Sequence, residues 1–143
     1  MAEFNPNRLT FEQGLERIRD ASSKAGFDPD KEIVTSRSES ARYLMDQLKV
    51  TNVPDGFSKW QLPISFACAT QTYLSFAAPQ SKVPRHSHKE GPGLRVIISG
   101  SLNYDGTELV AGDWMYIPAG QEYDFEVGPM GVGMFYCYCC SCA

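Results

Sequence analysis

Short strand-like segments separated by turn residues fill the chain from about residue 60 onward. Runs rich in β-branched and aromatic residues lie at 70–78, 94–99, 100–110, 113–119, 123–127 and 133–139. Glycine, proline and aspartate stand between them, and the Asp105-Gly106 pair is typical of a tight hairpin turn. Because such strands must bury one face against one another, the pattern predicts an antiparallel β unit of the barrel or jelly-roll type.

The N-terminal part has helical periodicity instead. Residues 10–26 and 36–49 each place apolar side chains along one face. Each segment begins with a capping-box pair, a hydroxyl residue followed three positions later by Gln or Glu: Thr10 with Gln13 and Ser36 with Glu39. We therefore predict a helical arm over residues 1–55 that packs on a β-barrel over residues 56–143.

Size and charge exclude several classes of partner. The chain has 143 residues and a formal net charge of −4, which gives no basic surface for nucleic acid. No apolar stretch approaches the roughly 20 residues that span a bilayer, and the first residues do not resemble a secretory signal. We expect a cytoplasmic protein that binds neither nucleic acid nor membrane.

The cysteines are unevenly distributed. Cys68 stands alone, and four others crowd the C-terminal end: Cys137, Cys139, Cys140 and Cys142. A disulfide framework spreads its cysteines to close loops, so we predict none here. Cys137 and Cys139 are interpreted as small apolar residues of the last strand, whereas the sequence gives no mechanism for Cys140 and Cys142.

Both histidines of the chain, His86 and His88, lie within three positions of each other, just before a strand-like run. Alternate residues of a strand point to the same side, so the two imidazoles are expected to share a face. Two imidazoles so close together are typical of a metal site, although zinc and non-haem iron usually have at least three protein ligands.

The region around these histidines resembles the two sequence motifs of the cupin barrel. His86, His88 and Gly100 match the first motif, and Gly112, Pro118 and Gly120 match the second. The resemblance implies an all-β fold, the cupin-type double-stranded β-helix, and a homodimer. It also implies a divalent transition metal in the barrel (Fe, Zn, Ni, Mn or Cu) and dioxygenase, isomerase or lyase chemistry.

The match departs from the family pattern at two ligand positions. Gly93 stands where the family has a glutamate, and Tyr123 stands where it has a third histidine. A third ligand could instead be Glu90, which would complete a two-His-one-carboxylate triad. Tyr123 as a phenolate, Glu122 or a Cys137 thiolate are the alternatives, and the sequence does not choose among them.

Two ligand-binding functions remain open from the sequence, beside a scaffold or assembly role in which the helical arm covers a sheet edge or packs on a second subunit. In the first, His86, His88 and Glu90 hold the metal of an enzyme acting on a small organic acid, with Tyr123 as the acid/base group and Arg95 as the carboxylate anchor. In the second, the chain is a non-catalytic small-molecule-binding or sensor cupin with a weak or lost metal site. Its pocket would be aromatic, lined by Tyr73, Tyr116, Tyr123 and Phe125.

Overall fold

The structure is a computed structural model that describes residues 4–5, 8–28 and 30–139. Its elements are, in chain order, α1 Phe11–Ala25, β1 Val34–Thr35, α2 Glu39–Gln47, β2 Lys49–Val50, β3 Lys59–Trp60, β4 Gln71–Ala77, β5 Lys82–His86, β6 Gly93–Tyr104, β7 Thr107–Val110, β8 Trp114–Ile117 and β9 Tyr123–Tyr138. No helix within these described ranges has both the length and the apolar character needed to span a membrane.

The chain divides into two compact units, and the division differs from a single boundary near residue 55. A helical unit contains the described residues up to Asp28 together with residues 39–65. A strand unit contains residues 30–38 together with residues 66–139. The cause is β1, which pairs antiparallel with β8 and so places a short N-terminal segment in the sheet.

The helical unit confirms one capping box and corrects the other. Thr10 and Gln13 cap α1 reciprocally, each side chain bonding the other's backbone N–H at 3.2 and 2.8 Å. The second prediction was wrong, because α2 begins only at Glu39. The hydroxyl of Ser36 instead donates to Asp113 Oδ1 at 2.8 Å and accepts from the backbone N–H of Trp114 at 3.0 Å.

The strand unit is built around the long strand β9. One sheet has the order β1-β8-β6-β9-β4, with β5 also paired to β9 and β7 to β6. The first residues of β9 pair with β5, the later ones with β4, and β6 runs along most of its length. All these pairings are antiparallel, as predicted. Asp105 and Gly106 form the hairpin turn between β6 and β7, both with positive φ.

The inward faces of these strands form one apolar core. Its buried members are Ile97, Leu102, Leu109, Met115, Ile117, Tyr123, Phe125, Val127, Val132 and Met134. Strand alternation accounts for most of the set, since β-branched and aromatic residues recur at every second position. The polar side chains described next lie at one end of this core.

Candidate functional site

The two histidines lie against inward-facing tyrosines of β9. His86 is the last residue of β5 and pairs in register with Tyr123, and their ring centroids are 4.5 Å apart. His88 follows the strand, with its ring 5.0 Å from that of His86 and 4.6 Å from that of Tyr138. Both imidazoles are half-buried, so they line the boundary between the core and the solvent.

A backbone contact orients the first imidazole. His86 Nδ1 lies 2.7 Å from the carbonyl oxygen of Pro84. Because a carbonyl oxygen only accepts, Nδ1 must carry the proton, and Nε2 of the neutral ring then has a free lone pair. Histidines that bind metals almost always use their other ring nitrogen in this way, donating to a carbonyl or carboxylate that fixes the ring.

A buried polar cluster lies beneath the imidazoles, centred on Tyr123. Its phenol oxygen is 3.1 Å from His88 Nε2, 3.1 Å from Arg95 Nη2 and 3.1 Å from the Tyr138 oxygen. The Arg95 contact must be a donation by the guanidinium, so Tyr123 has one proton to give to either His88 or Tyr138. The hydroxyls therefore form a chain from the half-buried imidazole to a phenol that is 1% exposed.

Arg95 is a buried cation that forms no ion pair with a carboxylate of the described residues. Its side chain faces inward, as predicted, and the residue is 8% exposed. Nη2 donates to the Tyr123 and Tyr138 oxygens, at 3.1 and 3.2 Å, and the guanidinium lies 4.5 Å from the ring centroid of Tyr136. No Asp or Glu of the described ranges forms an ion pair with it, and its Nε has no hydrogen-bond partner there.

The positive charge and the burial shift the titration of the neighbouring groups. Burial lowers the pKa of His88 below its ordinary value, and the nearby His86 and Arg95 lower it further. Burial raises the pKa of Tyr138 well above that of a free phenol, although the charge of Arg95 opposes this shift. Near neutral pH the cluster therefore holds a neutral His88 and a protonated Tyr138.

Tyr138 was not anticipated from the sequence, and it fills the place of the missing glutamate. Gly93 and Tyr138 pair across β6 and β9, and a Cβ on Gly93 would overlap the Tyr138 ring. The glycine at this motif position therefore makes room for an aromatic ring. A glycine opposite a large aromatic residue was the only available signal, and it requires the strand register to be known.

The other sequence-predicted ligands lie elsewhere. Glu90 is exposed in the bend after His88, and its role as a ligand stays a prediction. Glu122 is exposed and accepts from Arg85 Nε at 3.1 Å, while Cys137 points to the opposite side of β9 from Tyr136 and Tyr138. In the described part of the chain, no three His, Cys, Asp or Glu side chains come together as a metal site.

The aromatic pocket of the alternative hypothesis is present only in part. Tyr73 stacks on Tyr136 with a centroid distance of 5.3 Å, and Phe125 lies 6.3 Å from Tyr123. Tyr116 does not belong to this group, because it pairs with Leu94 on the face of the sheet opposite to Arg95. Its ring lies near Phe66 instead, at 6.2 Å.

A disulfide next to the site contradicts the prediction that the chain has none. Cys68 and Cys139 are bonded, with a Cα separation of 6.0 Å, and Cys139 immediately follows Tyr138. The sequence interpretation was wrong because Cys68, isolated along the chain, lies next to the end of β9 in space. Cys137 has no disulfide partner among the described residues, and Cys140 and Cys142 lie outside them.

A sequence profile of the ChrR cupin-like domain family matches residues 38–138. The chain belongs to this family. The antiparallel sheet and the match together confirm the predicted all-β cupin fold. The match begins just before α2, so it includes much of the helical unit as well as the barrel strands. No curated protein sequence matches the chain.

Solved structures resemble part of this cupin. One is a cupin-like protein of unknown function from Ralstonia eutropha, at 22% identity over 50% of this chain and 48% of that one, with a TM-score of 0.44. Another, a double-stranded β-helix protein from Klebsiella pneumoniae, has 25% identity over 48% of this chain and 65% of that one, with a TM-score of 0.44. This chain thus spans about half to two thirds of their lengths.

A third structure is that of a putative acetylacetone dioxygenase from Methylibium petroleiphilum, at 18% identity over 52% of this chain and 56% of that one, with a TM-score of 0.43. The likeness to all three structures is confined to about half of this chain.

Proposed function

We propose that this cupin binds a first-row transition-metal ion through His86, His88 and the phenolic oxygen of Tyr123. The observation that carries the proposal is the bond from His86 Nδ1 to the Pro84 carbonyl at 2.7 Å, which leaves Nε2 available and fixes the ring. The second imidazole lies beside it, with ring centroids 5.0 Å apart.

The third donor atom is supported by its distance from His88. Tyr123 Oη and His88 Nε2 are 3.1 Å apart, a separation that two ligands of one ion can have when each bond is about 2 Å long. Arg95 donates to the same oxygen and would compensate the negative charge of a phenolate there. Glu90 would have to turn inward from its exposed position to replace it.

The remaining residues favour a small organic acid as the ligand. Arg95 supplies a fixed positive charge, and neither Asp nor Glu of the described chain balances it. When bound, the metal would supply a Lewis acid with open positions for such a ligand. Without the ion, the Tyr123 hydroxyl would hold a proton between His88 and Tyr138, since its oxygen contacts both, and ligation as a phenolate would release that proton.

Arg95 acts in this proposal as a positioning residue rather than as the direct carboxylate anchor predicted from the sequence. The guanidinium lies behind the two phenols and donates to both, so it orients their oxygens toward the imidazoles. Removal of its charge should therefore change the affinity for the metal as well as that for the organic acid.

Metal content tests the proposal directly. We expect about one ion per chain after incubation with Fe, Zn, Ni, Mn or Cu salts, and none in the His86→Ala, His88→Ala double variant. Tyr123→Phe should lower affinity for the preferred ion at least tenfold, whereas the matched Glu90→Gln variant should not. With ferric iron, phenolate ligation gives a visible charge-transfer band that Tyr123→Phe must abolish. Equal binding by the wild type and the double variant would overturn the proposal.

A second candidate, a metal-independent binder of organic anions, is favoured by the Nε of buried Arg95, which has no hydrogen-bond partner in the described part of the chain. A buried guanidinium with an unsatisfied donor is costly, and a ligand carboxylate would satisfy it. EDTA-treated protein titrated calorimetrically with acetate, malonate and benzoate tests this candidate. Binding that survives EDTA and is lost in Arg95→Met supports it, and binding that requires added metal excludes it.

A further inference from the structure

A cavity lies in the helical unit and involves none of the barrel residues. It has a volume of about 480 Å³ and is lined by the segment before α1, by α1 itself, and by the β2–β3 hairpin with the residues around it. This volume is within the range of small-molecule sites, roughly 300–1,000 Å³.

All the charged residues that line this cavity are basic. They come from three separate parts of the unit: Arg8 before α1, Arg17 in α1, and Lys49 and Lys59 on the paired strands β2 and β3. None of the four forms an ion pair with an acid of the described ranges. Like charges around one concave space repel one another, and an anion bound between them would relieve that repulsion.

One of these cations is held in place by the backbone. Arg17 is half-buried, and its Nη2 donates to the carbonyl oxygen of Lys49 at 3.2 Å. This bond links α1 to β2 and leaves the other guanidinium donors available. An ordered guanidinium loses less side-chain entropy when it binds an anion than a freely moving one does.

A neutral acceptor and apolar side chains complete the lining. Gln61 Nε2 donates to the Gly14 carbonyl at 2.8 Å, which fixes the side-chain amide, and its buried Oε1 has no partner in the described chain. A hydroxyl or amino group of a ligand could donate a hydrogen bond to this oxygen. Phe4 and Leu9 are 47% and 49% exposed at the same cavity, so they offer contact to a carbon skeleton.

We propose that this cavity binds a phosphorylated polyol, that is, a small phosphate monoester that also carries hydroxyl groups. A phosphate monoester brings nearly two negative charges and several acceptor oxygens, which suits four surrounding cations better than a single carboxylate does. A hydroxyl of the same molecule donates to Gln61 Oε1. The site is independent of the metal-binding proposal, because no barrel residue takes part.

Calorimetric titration at fixed ionic strength tests the site with four probes: ribose 5-phosphate, inorganic phosphate, malonate and ribose. We expect ribose 5-phosphate to bind at least tenfold more tightly than inorganic phosphate or malonate, and ribose not to bind. The Lys49→Gln, Lys59→Gln variant should weaken ribose 5-phosphate binding at least tenfold. Its matched control is Arg19→Gln, Lys24→Gln, which removes the same charge from exposed positions of α1 outside the cavity.

Two results would overturn the proposal. If the control variant weakened binding as much as the cavity variant, the attraction would be general electrostatics rather than a site. If ribose 5-phosphate bound no more tightly than inorganic phosphate, the hydroxyl contact with Gln61 would be absent. Circular dichroism of both variants checks that they are folded, and the His86→Ala, His88→Ala variant should bind ribose 5-phosphate like the wild type.

Discussion

Gly93→Ala tests whether Tyr138 occupies the place of the family's glutamate. An alanine Cβ at this position would lie 2.5 Å from Tyr138 Cζ and closer still to two other ring carbons. Ordinary carbon contacts are about 3.5–4.0 Å, so the nearest part of the ring would have to move by at least about 1.5 Å. The backbone itself accepts alanine, because Gly93 is not among the residues with positive φ.

The expected cost follows from the contacts that the ring would lose. Overpacking of a close-packed core costs about 1–3 kcal/mol. The displaced phenol would also weaken its bonds to Arg95 and Tyr123, at 3.2 and 3.1 Å, each of which contributes about 1 kcal/mol or more. Against this, alanine in a strand gains about 0.5–1 kcal/mol over glycine. We expect a net loss of about 3 kcal/mol in the free energy of unfolding.

A double-mutant cycle separates the clash from other effects. Urea unfolding followed by circular dichroism would be measured for wild type, Gly93→Ala, Tyr138→Ala and the double variant. Without the ring, Gly93→Ala should be neutral or slightly stabilising, so the coupling energy should be about 3 kcal/mol. The reasoning is refuted if Gly93→Ala costs less than about 1 kcal/mol, or if its cost is the same in both backgrounds.

Three further predictions concern the strand unit. Reduction of the Cys68–Cys139 bond, which spans a sequence separation of 71, should cost up to about 4 kcal/mol of unfolding free energy; equal urea midpoints with and without dithiothreitol would contradict this. Asp113→Ala should cost about 2 kcal/mol by urea unfolding, because this carboxylate accepts from Arg37, Ser36 and a backbone N–H, whereas Arg37→Ala, at an exposed position, should lower the urea midpoint much less. Burial first, and then His86 and Arg95, lower the pKa of His88 from 6.5, so the folded state binds fewer protons than the unfolded state. Stability should therefore be full above about pH 6.5 and fall as the pH drops below it, and His88→Gln should reduce this slope in urea midpoints taken across that range.

The pKa of Asp113 gives a second pH dependence of stability, in which hydrogen bonds rather than burial lower the pKa. Burial alone would raise this pKa, but hydrogen bonds from Arg37, the Val110 N–H and Ser36 lower it below its ordinary value. The carboxylate therefore stabilises the fold above about pH 4, and this contribution is lost as the pH falls through the folded-state pKa. Asp113→Asn should abolish the acid-induced loss that is specific to this residue, as measured by thermal unfolding from about pH 5 down to about pH 2.

Local patterns predicted those features that depend on neighbours in the sequence. The capping box of α1 and the Asp105-Gly106 turn need only a few consecutive residues, and both are present. Strand alternation also placed Arg95 and Tyr123 inward, because a regular strand repeats every second residue. Ser36 shows the limit of such patterns, since a hydroxyl that can cap a helix can also bond a distant carboxylate.

The far end of β9 shows why Tyr138 escaped prediction. Tyr123, Phe125 and Val127 face inward, but beyond the irregular stretch the inward residues are Val132 and Met134. The register against β6 shifts there, so two positions on β6, from Leu102 to Gly100, correspond to five on β9, from Val127 to Val132. An odd insertion reverses which side chains point into the core.

The sequence by itself determined the class of fold, the family and the pair of imidazoles, because each is written in short spacings along one strand or turn. Only the tertiary structure decided what surrounds that pair: the Tyr138 ring over Gly93, the buried guanidinium of Arg95 between two phenols, and the bond from Cys68 to Cys139. These contacts join residues that are distant along the chain, and strand register and packing bring them together. Local spacing patterns in the sequence do not reveal this strand register, because it depends on the pairing of distant segments.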